Sequence, residues 1–62
     1  MTTEEILKFG EEVFNSKEKF ERWLDKSNIY LGDRRPRFLL LSEKGSKEVL
    51  NCLNRIEYGN LA

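Results

Sequence analysis

The chain has 62 residues, enough for one domain at most. Its 11 lysines and arginines balance its 11 aspartates and glutamates, so it lacks the positive charge that a typical nucleic-acid-binding domain carries. It has no histidine and one cysteine, Cys52, which excludes an internal disulfide and leaves neither a structural zinc site nor a histidine-activated nucleophile. We therefore expect a protein that is not an enzyme and needs no cofactor or metal.

Two further features of the composition bear on location and partners. A chain this short buries only about 60% of the surface that its unfolded form exposes, so we expect a partner to add stability. The longest apolar run, Phe38 to Leu41, is too short to cross a membrane. Polar residues follow Met1 where a signal peptide would be basic and then apolar. Together these features predict a cytoplasmic protein without membrane association.

The first predicted element is an amphipathic helix. Thr2 or Thr3 is expected to cap it, which places Glu4 and Glu5 in the first turn, where the helix dipole favours negative charge. Charged residues occupy one face and apolar residues recur at helical spacing on the other. The apolar positions are Ile6, Leu7, Phe9, Gly10, Val13 and Phe14.

A second helix is predicted from about Ser16 to Asp25. Asn15 is expected to cap it, because Glu18 follows three residues later and the two could form a capping box. Its apolar face consists of Phe20, Trp23 and Leu24. We expect Trp23 to pack in the core, since it aligns with the other two apolar side chains.

A loop over residues 27–33 and a short third helix should follow. Gly32 can supply a positive φ in this loop, and Ile29 and Leu31 are expected to fold back into the core. Pro36 suits the first turn of a helix, where its missing N–H is not needed. The four residues from Phe38 to Leu41 cannot all face inward on one helix, so at least one should lie at the surface or in an interface.

The last helix is predicted from about Glu43 to Tyr58, with Ser42 as its N-cap and Gly59 as its C-cap. Its buried face should contain Gly45, Val49, Cys52, Leu53 and Ile56. Gly45 would let another helix approach closely. Tyr58 falls on the far side of this helix and is a candidate partner contact, because tyrosine is enriched in interfaces. These elements predict an all-α fold, a small bundle of about four short helices in a single domain over residues 1–62.

One basic cluster stands out, formed by Arg34, Arg35 and Arg37. These arginines could grip a carboxylate or phosphate of a partner, or they could be a solvated turn around Pro36. Both interpretations are open at the level of sequence.

The order of short motifs resembles the toxin-binding domain of the Xre/MbcA/ParS antitoxins. The family has a helix ending in Val-Phe, a Trp-Leu pair, a Leu-Gly-Gly-x-x-Pro turn, a Leu-Leu pair, a glycine and a final Arg-Ile-x-x-Gly. The corresponding segments here are Glu12-Val13-Phe14, Trp23-Leu24, Leu31-Gly32-Asp33-Arg34-Arg35-Pro36, Leu39-Leu40, Gly45 and Arg55-Ile56-Glu57-Tyr58-Gly59. Asp33 departs from this pattern, since it stands where the second turn glycine is usual.

The resemblance implies a binding partner and a set of contact residues. In that family the domain binds a RES-domain toxin, an enzyme that consumes NAD or transfers ADP-ribose from it, and the antitoxin's C-terminal segment occludes the toxin's active site. Carried over by position, the toxin-binding residues are Arg55, Glu57, Tyr58, Gly59, Asn60, Leu61 and Ala62, with Arg34 and Arg35 of the turn as second candidates. Family members usually carry a helix-turn-helix domain before this one, which these 62 residues do not contain, so we expect no direct DNA binding.

The alternative hypothesis is a small helical homo-oligomerisation or assembly module with a different protein partner. It rests on the apolar surplus of Phe38 to Leu41 in a short chain. The two hypotheses are compatible, because an antitoxin can also self-associate.

Overall fold

Local capping residues set where the helices begin. In the computed structural model, which describes residues 2–59, the Thr2 hydroxyl accepts a hydrogen bond from the Glu5 N–H, and the Glu5 carboxylate accepts one from the Thr2 N–H. This reciprocal pair is a capping box that opens helix α1, Thr3–Phe14. The Ser42 hydroxyl accepts from the Gly45 N–H at 3.0 Å and opens the longest helix. Ser42 was the predicted cap, and Thr2 was one of the two candidates for α1.

The described residues form four α-helices and one 3₁₀ turn, which confirms the predicted all-α fold. After α1 come α2 (Lys17–Leu24), the 3₁₀ turn (Ile29–Leu31), α3 (Pro36–Leu39) and α4 (Glu43–Glu57). Pro36 stands in the first turn of α3, as expected. No helix within residues 2–59 is long and apolar enough to cross a membrane.

The prediction that Asn15 caps α2 was wrong. Asn15 instead ends α1 in the left-handed conformation, with φ of 51°, and its N–H donates to the carbonyl of Glu12. Asparagine tolerates this conformation better than most residues, which makes it a suitable helix terminator. Ser16 is the actual cap, since its hydroxyl accepts from the Lys19 N–H at 3.2 Å.

The core lies between α4 and the other elements, which all pack on it or on each other. Its buried side chains are Ile6, Phe20, Leu24, Leu31, Leu39, Val49, Cys52 and Leu53. Trp23 packs against this core, as predicted, with its ring centroid 5.7 Å from that of Phe14 and 6.0 Å from that of Phe20. Gly10 and Gly45 are buried where Phe20 and the backbone of Leu39, respectively, come close.

Of the two loop residues predicted to fold into the core, one does so and the other does not. Leu31 is buried, but Ile29 leaves 77% of its surface exposed, so the prediction that Ile29 folds into the core was wrong. The cause is the 3₁₀ turn, in which three residues complete a turn and three successive side chains point in three directions. Only one of them can face the core. By contrast, Phe38 and Leu41 are exposed while Leu39 is buried, which confirms the prediction that at least one residue from Phe38 to Leu41 lies at the surface.

Candidate functional site

The outward face of α4 carries Arg55 and leads to Tyr58, two of the described residues that the sequence singled out. Glu48, Asn51, Arg55 and Tyr58 follow one another at spacings of three and four residues, so they lie along one side of the helix. Tyr58 is 70% exposed and is not part of the core, in agreement with its predicted place. Glu57 is also exposed. The predicted contacts Asn60, Leu61 and Ala62 lie outside the described residues.

Gly59 ends this helical face. It has φ of 69° and its N–H donates to the carbonyl of Ile56, so the backbone leaves the helical path there. A left-handed residue just past the last turn is a common helix terminator, and glycine adopts this conformation without a Cβ penalty. The prediction that Gly59 is the C-cap was off by one residue: Tyr58 is the C-cap, and Gly59 follows it in the left-handed conformation that ends the helix.

A small depression forms where the 3₁₀ turn packs against α4. It has a volume of about 150 Å³ and is lined by Tyr30, Leu31, Glu48, Asn51, Cys52 and Arg55. We call this depression the notch. Sequence reasoning found Arg55 but missed Tyr30 and Asn51. Asn51 could have been found from its position one turn before Arg55, whereas Tyr30 is brought there only by the tertiary packing of the turn.

Hydrogen bonds hold the 3₁₀ turn in the shape that builds the notch. The Asn28 side chain accepts from the Tyr30 N–H at 2.9 Å, and the Asn28 carbonyl accepts from the N–H groups of Leu31 and Asp33. Asn28 also forms an isolated antiparallel bridge with Arg34, which closes the loop. These hydrogen bonds therefore hold the backbone in place on both sides of Tyr30.

Arg34 ties this turn to α4. Its Nε donates to the carbonyl of Leu31 at 2.8 Å, and one of its terminal nitrogens donates to the Glu48 carboxylate at 3.1 Å. The two side chains remain 53% and 37% exposed, so the ion pair lies at the surface. Arg34 thus holds the 3₁₀ turn against α4 at one side of the notch, and its positive charge balances the negative charge of Glu48.

Arg37, the third member of the basic cluster, is also engaged within the chain. Its Nε lies 2.6 Å from an oxygen of Asp25, and a terminal nitrogen lies 2.6 Å from an oxygen of Glu21. The bond to Arg37 holds the pKa of Asp25 below its usual value, and these carboxylates in turn raise the pKa of Arg37. Arg37 therefore clamps α3 to α2. Arg35 takes part in none of the ion pairs between described residues.

A second exposed surface lies beside Arg35. Phe38 and Leu41 are 65% and 82% exposed and line a depression of about 340 Å³ together with Asp25, Arg35 and Arg37. We call Phe38 and Leu41 the apolar patch. An exposed aromatic ring next to an exposed leucine suits contact with another protein surface.

These surfaces present exposed aromatic, amide and charged side chains. Within residues 2–59, no group of histidine, cysteine, aspartate and glutamate side chains could hold a metal ion. Cys52 is a buried free thiol, and burial raises its pKa while nearby Arg55 opposes the rise. A buried thiol of raised pKa is a poor nucleophile, so Cys52 serves as a small core side chain.

A family model described as the antitoxin Xre/MbcA/ParS C-terminal toxin-binding domain matches residues 9–59. The match covers most of the chain and includes α2, α3, α4, the notch and the apolar patch. No curated protein and no solved structure matches the chain.

Proposed function

The chain belongs to the Xre/MbcA/ParS C-terminal toxin-binding family of antitoxins, and from this premise we propose that it neutralises a RES-domain toxin. The end of α4 and the residues after it would cover the entrance to the toxin's active site and keep NAD out. In this proposal the chain inhibits an enzyme without being one, needs no cofactor, acts in the cytoplasm and does not bind DNA directly.

The observation that carries this proposal is the exposed end of α4. Arg55, Glu57 and Tyr58 project from the last turns of a helix whose opposite face is packed in the core. Tyr58 offers a large ring that is 70% exposed, and Arg55 offers a charged group beside it. Tyrosine and arginine are the residue types that most often anchor protein interfaces. The positions also coincide with those that the family resemblance assigns to toxin contact.

The test is co-purification with a RES-domain protein from the same genome, paired with an assay of NAD consumption. We expect a stable complex in which NAD turnover is suppressed. Tyr58→Ala and a chain ending at Tyr58 should both inhibit less than the wild type. Ile29→Ala is the control, since it removes an apolar side chain of similar exposure outside both the end of α4 and the apolar patch. Absence of a complex with the wild-type chain, or full inhibition by both variants, would contradict the proposal.

A second function is favoured by the apolar patch. Its two side chains are among the most exposed large apolar groups of the described residues, although Leu39 and Leu40 between them turn inward. We propose that two copies of the chain associate through this surface. Because the formal net charge is zero, long-range repulsion between copies is small.

Light scattering tests this second proposal. The wild-type chain should elute as a dimer or larger species at micromolar concentration, and the double variant Phe38→Ser, Leu41→Ser should be a monomer. Ile29→Ser is the control, because Ile29 is similarly exposed outside the patch. A wild-type monomer would rule out self-association through this surface and leave toxin binding unaffected.

A further inference from the structure

We propose that the notch is a binding site for one carboxylate side chain of the partner toxin, held by Arg55, Asn51 and Tyr30. The inference rests on the proposed function, since it names the chemical group that this face of the antitoxin recognises. It adds two residues, Tyr30 and Asn51, that neither the motif order nor the family match assigns to binding.

Arg55 has no acidic neighbour one turn away on its own helix. The positions one turn away on either side are Asn51, Cys52, Tyr58 and Gly59, none of which is acidic. Arg55 also takes part in none of the ion pairs among the described residues. Among the described residues, nothing therefore occupies its guanidinium donors in an ion pair, and a group of a partner could accept from them.

Neutral groups complete the recognition set. Asn51 contributes an amide and Tyr30 a hydroxyl, and both line the same depression as Arg55. The buried side chains of Leu31 and Cys52 also line it. The hydrogen bonds of Asn28 and Arg34 fix the turn that carries Tyr30, so the site needs little reorganisation to bind.

The local charge favours a carboxylate over a phosphate. Glu48 also lines the notch, but its charge is balanced by Arg34 at 3.1 Å, so Arg55 supplies the net single positive charge. A single positive charge, that of Arg55, next to the Glu48 carboxylate suits a ligand group with one negative charge better than a group with two. A guanidinium can donate two parallel hydrogen bonds to a carboxylate or to a phosphate, so the preference for a carboxylate rests on the charge. An aspartate or glutamate on the toxin surface meets these requirements.

The experiment measures binding of the RES-domain toxin to antitoxin variants, with thermal unfolding as a check that each variant is folded. Arg55→Gln and Arg55→Ala should weaken binding by about 10- to 100-fold, the loss expected for charge-assisted hydrogen bonds. Asn51→Ala and Tyr30→Phe should each weaken it less. Arg22→Gln is the matched control, because Arg22 is an exposed arginine on α2, away from the notch.

A charge swap identifies the partner group. Arg55→Glu is combined in turn with arginine at each exposed aspartate and glutamate of the toxin. We expect one swapped pair to recover most of the lost binding. If Arg55→Glu binds as tightly as wild type, or if no swap recovers binding, the carboxylate site is wrong while the antitoxin function stands. If the wild-type chain does not bind the toxin at all, the proposed function fails and this inference fails with it.

Discussion

The carbonyl oxygen of Leu39 occupies the space that a Cβ on Gly45 would need. Leu39 ends α3 and Gly45 lies in the first turns of α4, so this contact is where the two helices approach each other. The packing of α3 against α4 therefore requires a residue without a side chain at this position. The sequence predicted that Gly45 would permit close approach, and the contact with Leu39 confirms it.

Gly45→Ala should destabilise the fold. The obstructing atoms belong to the backbone, which cannot move aside as the end of a flexible side chain could. We expect the free energy of unfolding to fall by about 2 kcal/mol, because the cost of overpacking exceeds the gain in helix propensity. Urea unfolding followed by the fluorescence of Trp23, the single tryptophan, measures this. Lys44→Ala, at the preceding exposed position, is the control and should be close to neutral; equal stability of Gly45→Ala and wild type would contradict the packing argument.

Asp33→Gly should stabilise the fold. Asp33 has φ of 59° and follows Gly32 at 68°, so two successive residues adopt the left-handed conformation. None of the side-chain hydrogen bonds between described residues uses the Asp33 carboxylate. Glycine removes the conformational strain, and we expect a gain of about 0.5–1 kcal/mol after its higher unfolded-state entropy is counted.

The control for this prediction is Asp33→Ala, which lacks both the polar group and the freedom of glycine. It should be less stable than wild type in the same urea experiment. A loss of stability in Asp33→Gly would show that the aspartate contributes an interaction of its own. This geometry also explains why a glycine suits the position where the chain departs from the family pattern.

The parts of the fold that follow from local rules were predictable, and those that depend on packing between elements were not. Thr2 and Ser42 were recognisable as caps, because an N-cap hydroxyl bonds to N–H groups only two or three residues away. Asn15 was wrongly predicted to cap α2 because the sequence did not show that α1 ends at this residue. Ile29 was misplaced because its apolar character gave no sign of the 3₁₀ turn.

The candidate site also has one part that could be predicted from the sequence and one part that could not. Arg55 and Tyr58 could be predicted, since both follow from positions on one helix and from the family motif. The notch could not, because Tyr30 joins Arg55 only through the packing of a loop from a distant part of the sequence. The ion pairs of Arg37 with Asp25 and Glu21 could not be predicted either, because they depend on how α3 packs against α2.

The clamp between Arg37 and Asp25 makes stability depend on pH. The folded-state pKa of Asp25 lies below its ordinary value of 3.8, so its contribution is present above that value and is lost as the pH falls through the folded-state pKa. The pKa of Glu5 is lowered as well, by its hydrogen bonds to Thr2, and adds to the same trend. We expect stability to be nearly constant near neutral pH and to decrease below about pH 4.

Urea unfolding at pH 7 and pH 3 tests this dependence. Asp25→Asn should be less stable than wild type at neutral pH and should lose less stability on acidification. Glu11→Gln on the outer face of α1 is the control, since Glu11 takes part in no ion pair among the described residues. An unchanged acid response in Asp25→Asn would show that the clamp contributes nothing to the pH dependence.

The family resemblance suggests that Arg34 contacts the toxin, whereas the structure suggests that Arg34 supports the notch. Removing the charge of Glu48 distinguishes these two roles. If Arg34 supports the notch, Arg34→Ala leaves the Glu48 carboxylate uncompensated beside the notch, where it repels an incoming carboxylate. We expect weaker toxin binding and, because the pair is exposed, a loss of only about 0–1 kcal/mol in stability. Adding Glu48→Gln to Arg34→Ala should then recover part of the binding. If Arg34 touches the toxin directly, the second substitution recovers nothing, so comparison of the single and double variants in one binding assay decides between the two roles.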